Sequence, residues 1–241
     1  EIKLALSSGV GRFAVDGLDD LNLISRIASA ADLTANILLR LTPGISAHTH
    51  EYIRTGALDS KFGIPISTDQ ADEVVQQALD LSGINLIGYH AHIGSQIFDT
   101  EPFAENVRAL LRFSDLMHQK YGILPEVISP GGGCGVQYLA NDAGLEIQGL
   151  VEIICQTFKE GLPENSEPEL VLEPGRSIVA NAGVALYTIG TMKDIPGIRA
   201  YAAVDGGMAD NIRPALYGSE YMVDLASRHI TDGTSTVTIA G

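Results

Sequence analysis

The segment Leu86-Ile87-Gly88-Tyr89-His90-Ala91-His92-Ile93-Gly94-Ser95-Gln96 joins a short apolar run to a polar cluster that contains glycine. The apolar run Leu86–Tyr89 predicts a strand that is buried on both faces, as in a parallel sheet. The strand period of two directs His90 and His92 to the same face. Polar residues directly after a parallel strand lie at its carboxyl end, where the active sites of α/β folds form.

The polar cluster has three interpretations. His90 and His92 could bind a metal ion, because a His-x-His pair on a strand can hold zinc. One ring could instead stack on a flat cofactor while Ser95 donates to a phosphate. Both could also be core histidines with internal partners. Gly94-Ser95 favours an anion close to the backbone, since glycine allows such an approach.

Alternation of strands and helices extends from this segment in both directions. Further strands are predicted at Arg12–Val15, Ile37–Leu41, Val127–Ile128 and Leu170–Leu172. Amphipathic helices are predicted around residues 71–79, with Ser67 and Gln70 as a capping box, and around residues 103–117 and 147–158. This order predicts a parallel α/β fold, either a barrel or a doubly wound sheet.

The pattern changes after about residue 180. Residues 161–169 are polar and contain two prolines, which predicts a loop. Strands without long helices between them are predicted at Val184–Ile189, Arg199–Val204, Tyr221–Leu225 and Thr236–Ile239. We therefore predict a first domain over residues 1–179 and the start of a β-rich second domain over residues 180–241.

Composition excludes several classes of function. The net charge of −15 argues against a nucleic-acid partner, because phosphate contacts need clustered Lys and Arg. No run of apolar residues is long enough to predict a membrane span. Two cysteines, Cys134 and Cys155, predict no disulfide framework and suit a cytoplasmic compartment.

A second cluster is the glycine run Gly131-Gly132-Gly133-Cys134-Gly135. Successive glycines let the backbone approach a ligand and direct N–H groups towards it, although a tight turn would also explain them. The spacing matches neither a P-loop nor a dinucleotide fingerprint. Cys134 is expected to be a small buried residue rather than a nucleophile.

A third cluster, Glu173-Pro174-Gly175-Arg176-Ser177, follows the last predicted strand of the first domain. Glu173 could bond a ring nitrogen while Arg176 binds an anionic group, or the two could form an ordinary ion pair. A fourth cluster runs from Asp205-Gly206-Gly207 to Arg213-Pro214-Ala215-Leu216-Tyr217. Arg213 could bind a substrate carboxylate, and Tyr217 shares its face if the segment is helical.

Taken in order, these motifs resemble the diaminopimelate decarboxylases, relatives of ornithine and arginine decarboxylases and of alanine racemase. The matching stretches also include Arg40-Leu41-Thr42-Pro43-Gly44 and Asp59-Ser60-Lys61-Phe62-Gly63. The resemblance implies a (β/α)8 TIM-type barrel that binds pyridoxal 5′-phosphate (PLP), incomplete at its N-terminus, followed by a β-rich domain. It also implies a homodimer whose substrate is a small-molecule amino acid. The implied reaction converts meso-2,6-diaminopimelate to L-lysine and CO2.

By this resemblance, each cluster has a role in binding. His92 is expected to stack on the pyridine ring, and Glu173 to pair with its nitrogen. The phosphate is expected to lie against Ser95, Gly132, Gly133, Gly175 and Arg176. Substrate recognition is expected from Arg176, Arg213 and Tyr217, and no metal is expected.

Two family features have no match in the sequence. The lysine that binds the cofactor is expected before the helix predicted at Glu1–Ser8, and a Cys-Glu motif after Gly241. None of Lys3, Lys61, Lys120, Lys159 and Lys193 has the matching context, although Lys61 is the strongest decoy. We therefore expect this chain to be a piece of a longer enzyme and to be inactive by itself.

The sequence is also compatible with three alternative functions. The enzyme could act on ornithine, arginine or a carboxylated polyamine, although Gln96 and the stretch 213–217 favour diaminopimelate. The chain could be a non-catalytic relative that serves as a binding protein. A metal-dependent hydrolase using His90, His92 and Asp205 is the weakest alternative, because it leaves the glycine run unexplained.

Overall fold

The chain forms two compact units. The computed structural model describes residues 1–45, 60–163, 166–226 and 236–241. The first unit consists of Glu1–Val136 and Gly144–Ser177, and the second of Gln137–Ala143 and Ile178–Gly241. In the described ranges, no helix is long and apolar enough to cross a membrane.

The first unit is built on a six-stranded parallel sheet. Its strands are β1 (Phe13–Val15), β2 (Ala35–Thr42), β3 (Ile64–Pro65), β4 (Ile84–Ala91), β5 (Val127–Gly131) and β6 (Glu169–Leu172). The order across the sheet is β1-β2-β4-β5-β6, with β3 beside β2. All five strands that the sequence predicted for this unit are therefore confirmed; the two-residue β3 was not predicted.

Helices connect these strands. They are α1 (Ile2–Ser7), α2 (Leu18–Ala30), α3 (Asp69–Asp80), α4 (Glu101–Tyr121), α5 (Ile147–Gly161) and the short α6 (Gly175–Val179). Strand, helix and next parallel strand follow one another as in an α/β barrel, which confirms the predicted fold class. The predicted helices at residues 1–8, 71–79, 103–117 and 147–158 correspond to α1, α3, α4 and α5.

The core lies between the sheet and these helices. Leu39, Leu41, Tyr89 and Ile128 on the central strands are almost fully buried. Strand β2 is buried along nearly its whole length, as expected for a parallel strand covered on both faces. Apolar burial of this kind stabilises the unit by roughly 25 cal/mol for each Å² removed from water.

The predicted capping box of α3 is wrong. The helix begins at Asp69 with Thr68 as its N-cap, and no side chain caps it. The Thr68 hydroxyl donates instead to the Pro65 carbonyl at the end of β3 (3.1 Å). Since the helix starts one residue later than a Ser67 cap requires, Gln70 is not at the position that would reach back to the cap.

The second unit contains a three-stranded sheet and a short helix. Strand β8 (Arg199–Val204) lies between β7 (Ile189–Ile195), which is antiparallel to it, and β9 (Thr238–Ala240), which is parallel. Helix α7 spans Arg213–Tyr217. The strand predicted at Arg199–Val204 is confirmed.

Two other strand predictions for this unit are wrong. Val184–Ile189 contributes only its last residue to β7, and Tyr221–Leu225 forms no strand. β7 instead runs through the polar residues Lys193 and Asp194, because its partner β8 supplies the ladder hydrogen bonds there. Pairing with a neighbouring strand therefore outweighs the local preference of the β-branched Val184.

Candidate functional site

Three polar side chains meet at the carboxyl ends of β4, β5 and β6. His90 lies near the end of β4 and pairs in register with Ser129 on β5. Glu173 directly follows β6, and its N–H donates to the Gly131 carbonyl (2.9 Å). The parallel order of the strands thus brings together residues that are more than 80 positions apart in the sequence.

The Glu173 carboxylate is held by one of its two oxygens. His90 Nε2 lies 3.1 Å from Glu173 Oε1, and the Ser129 hydroxyl donates to the same oxygen at 3.4 Å. The His90 side chain is only 8% exposed, whereas that of Glu173 is 50% exposed. Oε2 accepts no hydrogen bond from any residue that the structure describes.

This arrangement favours the charged form of Glu173. The hydrogen bond from His90 lowers the pKa of the carboxyl below its ordinary value, and this effect outweighs the opposing effect of partial burial. Glu173 is therefore a carboxylate at neutral pH, with one oxygen available for a cationic or N–H partner.

His92 follows β4 and contacts the glycine run. Its Nδ1 accepts a hydrogen bond from the Gly132 N–H at 3.4 Å. Burial lowers the pKa of His92, and the nearby Arg40 and His90 lower it further, whereas Glu173 acts in the opposite direction. The ring is therefore neutral at neutral pH, and its side chain is only partly exposed.

The glycines of the loop after β5 are required by contacts between loops. A Cβ on Gly132 would lie 2.0 Å from the Glu173 carbonyl oxygen, and a Cβ on Gly133 would lie 2.1 Å from the Gly94 carbonyl oxygen. Gly133 also has a φ of +106°, which side chains disfavour. The run thus packs backbone against backbone, which brings the three loops after β4, β5 and β6 together.

Gln96 ties the loop after β4 to the same glycine run. Its side-chain amide donates to the Val136 carbonyl (3.1 Å), and its oxygen accepts the Val136 N–H (2.9 Å). Beside it, Ile97 N–H donates to the Gly133 carbonyl at 3.1 Å. Both polar groups of the Gln96 side chain therefore hold the loop after β4 against the glycine run.

The turn after β6 leaves space and an unused donor. A Cβ on Gly175 would have no atom within 4 Å, so this glycine faces open space. The buried Nη1 of Arg176 has no hydrogen-bond partner among the described residues. Such a buried donor destabilises a protein unless it finds an acceptor. Ser95, which is half-buried, lies in the neighbouring loop after β4.

Arg213 and Tyr217 lie in the second unit, at the two ends of α7. The Arg213 guanidinium carbon is 5.3 Å from the centre of the Tyr217 ring, so the two share a helical face as the sequence predicted. Arg213 Nε also donates to the Tyr221 hydroxyl (2.8 Å), and Nη2 donates to the Ser219 hydroxyl (3.3 Å). Tyr221 and Ser219 were not predicted as partners.

Two further polar contacts at the strand ends were not predicted from the sequence. Arg40 on β2 lies 3.1 Å from Asp16, which follows β1, and its guanidinium stacks over the Phe62 ring at 4.7 Å. The Thr42 hydroxyl donates to the Phe62 carbonyl (2.7 Å). Asp59, part of the same family motif, lies outside the described residues.

Comparison with known proteins identifies the family. Residues 1–180 match the family described as pyridoxal-dependent decarboxylase, pyridoxal binding domain, which is three quarters of the chain. The chain belongs to this family. The predicted cofactor, pyridoxal phosphate, agrees with this match.

Curated relatives within the decarboxylase family are diaminopimelate decarboxylases. Those of Halalkalibacterium halodurans and Bacillus subtilis are 43% and 41% identical to the chain, each over 100% of its length. The chain spans about 55% of the length of both relatives.

Solved structures of the same family have the same fold. Diaminopimelate decarboxylase from M. jannaschii in complex with L-lysine has a TM-score of 0.80 and 32% identity, covering 92% of this chain and 50% of that one. The enzyme from Helicobacter pylori, also with L-lysine, has a TM-score of 0.79 and 30% identity, with coverage of 92% and 53%. This similarity confirms the predicted barrel-type α/β fold followed by a β-rich region.

The site fits the cofactor of this decarboxylase family in three respects. Among the described residues, Glu173 Oε2 has no hydrogen-bond donor and is available to a protonated ring nitrogen, Arg176 Nη1 is a buried donor without an acceptor, and Gly175 borders open space. All five lysines of the chain are exposed; Lys61 lies over the Phe62 ring.

Neither of two other chemistries finds support. No group of three His, Cys, Asp or Glu residues in the described part of the chain could share a metal ion. Within the metal hypothesis, His90 is engaged by Glu173, and Asp205 accepts the Thr188 N–H at 2.7 Å. Burial raises the pKa of Cys134, which disfavours the thiolate that a nucleophile requires.

Proposed function

We propose that the protein containing this chain decarboxylates meso-2,6-diaminopimelate to L-lysine and CO2 with pyridoxal phosphate. The observation that carries the proposal is the Glu173 carboxylate, which His90 and Ser129 hold by one oxygen while the other accepts no hydrogen bond within the part of the chain that the structure describes. The identity of 43% and 41% with curated diaminopimelate decarboxylases supports the choice of substrate.

Different residues of the first unit would bind different parts of the cofactor. Glu173 would hold a proton at the ring nitrogen, because an adjacent carboxylate favours the protonated ring. His92 would stack on the ring. Arg176, Gly175, Gly132, Gly133 and Ser95 would surround the phosphate, with N–H and guanidinium groups as donors. When bound, pyridoxal phosphate supplies the electron sink for the electron pair left after CO2 departs.

Arg213 and Tyr217, together with Arg176, would recognise the substrate. Diaminopimelate carries a second amino-acid group far from the reacting carbon, and guanidinium groups bind carboxylates through paired hydrogen bonds. The stacking of Arg213 on Tyr217 supports this role. It already restricts the rotamers of Arg213, so less side-chain entropy is lost when a substrate binds.

We further infer the organisation of the protein. The boundary between the cofactor-binding barrel and the β-rich domain would fall between residues 179 and 180, which is supported by the family match ending at residue 180. The protein would be a cytoplasmic homodimer. The unpaired Cys134 and Cys155 support a reducing compartment, and the dimer rests on the family resemblance.

The test uses protein expressed from the intact coding sequence. It would be purified with pyridoxal phosphate, and its visible spectrum recorded before meso-diaminopimelate is added. A cofactor absorption band followed by CO2 and lysine would support the proposal. A panel of L-ornithine, L-arginine and carboxynorspermidine provides the matched comparison. A band with CO2 from one of these alone would overturn the substrate assignment, and absence of a band would overturn the cofactor assignment.

A further inference from the structure

The sequence leaves several roles open for His90, and the structure gives this residue a specific position. Its side chain is 8% exposed and lies on the central strand β4, so its orientation is fixed by packing. It faces Glu173, which follows β6 two strands away across the sheet. Because β5 lies between them, the contact requires Ser129, the residue in register with His90, to be small.

A chain of hydrogen bonds links the three strands at this level. The Gly131 N–H donates to the Ser129 hydroxyl (3.4 Å), and that hydroxyl donates to Glu173 Oε1 (3.4 Å). His90 Nε2 lies 3.1 Å from the same oxygen, so Nε2 must carry the hydrogen. Nδ1 of His90 is buried and has no partner among the described residues. A hydrogen on Nδ1 would therefore be buried without an acceptor among these residues, which is unfavourable, whereas a hydrogen on Nε2 has one.

The backbone of Glu173 is fixed as well. Its N–H donates to the Gly131 carbonyl (2.9 Å), and its carbonyl accepts the Gly175 N–H (2.9 Å). The side chain of Glu173 nevertheless is half exposed, and its remaining torsions are free unless a partner holds them. His90 provides the shorter of the two contacts to the carboxylate.

We propose that His90 is a positioning residue, whose Nε2–H holds Glu173 Oε1 so that Oε2 points to the nitrogen of the cofactor ring. This inference rests on the proposed cofactor. His90 itself touches neither cofactor nor substrate. His90 orients the Glu173 carboxylate, which the cofactor needs to act as an electron sink. Because the carboxylate is already oriented before the cofactor binds, binding does not have to order it.

The test compares two pairs of variants in protein expressed from the intact coding sequence. H90F keeps a ring of similar size but removes the donor, whereas H90Q places an amide N–H near the position of Nε2. H90N shortens the side chain by one methylene relative to H90Q, so it remains polar but does not reach Glu173. H118Q, on α4 near its C-terminal end, controls for the loss of a histidine elsewhere.

The readouts are the dissociation constant of pyridoxal phosphate, measured by equilibrium titration of cofactor-free protein, and the separate kcat and KM values. H90F and H90N are expected to bind the cofactor about tenfold more weakly, equivalent to about 1.4 kcal/mol. Both are also expected to lose kcat with little change in KM. H90Q is expected to recover most of both losses, and H118Q to match the wild type.

Several outcomes would overturn the inference. It fails if H90F and H90N bind cofactor as the wild type does, or if H90Q is as impaired as H90N, which would indicate a purely structural role. If H90F does not fold, the comparison of H90N with H90Q in cofactor affinity and kcat still tests the inference. If the wild type binds no pyridoxal phosphate, the proposed function itself fails and this inference with it; only the first two outcomes are specific to His90.

Discussion

Glu173 is the residue on which the site depends most, because its charge and its direction are both set by neighbours. The hydrogen bond from His90 lowers the pKa of its carboxyl, and the second oxygen remains open. A neutral amide of the same shape would keep the contacts but lose the charge. Replacing Glu173 by glutamine would therefore test the charge of this side chain apart from its hydrogen-bond contacts.

We expect E173Q to lower kcat by about 100-fold, the size of effect found when one group that handles a proton is lost. Cofactor should still bind, since the amide can accept a hydrogen bond. E169Q, on β6 and outside the site, is the control; it removes only an exposed ion pair with Arg12 and should change kcat less than twofold. Steady-state assays of CO2 release would measure both. Equal kcat for E173Q and the wild type would contradict the role of Glu173.

His92 is expected to make the free energy of unfolding depend on pH. Burial is the main cause of its lowered pKa, so the folded protein keeps the ring neutral where the unfolded chain protonates it. As the pH falls through about 6.5, the unfolded state gains this proton first. The free energy of unfolding should therefore decrease as the pH falls, until the folded ring is protonated as well.

H92Q is expected to make this decrease shallower below pH of about 6.5, because the titrating group is gone. Urea unfolding of cofactor-free protein at a series of pH values measures the slope, and the cofactor is left out so that its own ionisation does not contribute. Slopes that coincide for wild type and H92Q over that range would show that His92 has the same pKa in both states.

At the scale of elements, the glycine run explains how three loops can meet. The loops after β4, β5 and β6 are linked by Gln96, by Ile97 and Gly133, and by Gly131 and Glu173. None of these contacts is specific to a ligand. The loops are therefore expected to hold their conformation without cofactor.

G132A is expected to destabilise the protein by about 3 kcal/mol, because its Cβ would overlap the backbone carbonyl of Glu173 and a backbone group cannot rotate aside. G144A is the matched control: a Cβ there would have no atom within 4 Å, so a change of less than about 0.5 kcal/mol is expected. Denaturant titrations of the two variants would test this. A stable G132A would mean that the loops can separate at little cost.

At the scale of the whole molecule, the two units differ in how much apolar surface they bury. Nearly all of the buried apolar residues belong to the first unit, and in the described part of the second unit only Ala202 is fully buried and apolar. Large side chains such as Val184, Ile198 and Met222 are 79–88% exposed there. Local stability follows the burial of apolar contacts, so the two units should open with different free energies.

Hydrogen exchange monitored by mass spectrometry would measure this difference. Amides of Leu39 and Leu41 on β2 should exchange at least about a hundredfold more slowly than those of β7, because opening β2 exposes the main core. Peptides from α5, which also lies in the first unit, serve as an internal reference. Equal protection of β2 and β7 would show that the second unit has a core as stable as the first.

The parallel α/β fold could be predicted because its signal is local. Buried strands such as Ile37–Leu41 are continuous apolar runs, and helices such as α4 carry an apolar stripe, so each is recognisable within about ten residues. In the second unit the prediction failed at Val184–Ile189 and Tyr221–Leu225. There the choice depends on which segment finds a partner strand, which is not a local property.

The candidate site divides in the same way. The sequence by itself determined which residues follow the strands, and therefore that His92, Glu173 and Arg176 lie at one edge of the sheet, and it also carried the resemblance to the decarboxylase family. Only the tertiary structure decided that His90 and Ser129 hold one oxygen of Glu173, that Gly132 is required by the Glu173 carbonyl, and that Gln96 supports a loop. The physical reason is that a hydrogen bond depends on distances of a few tenths of an ångström. The register between strands far apart in the chain sets those distances, and no sequence period encodes it.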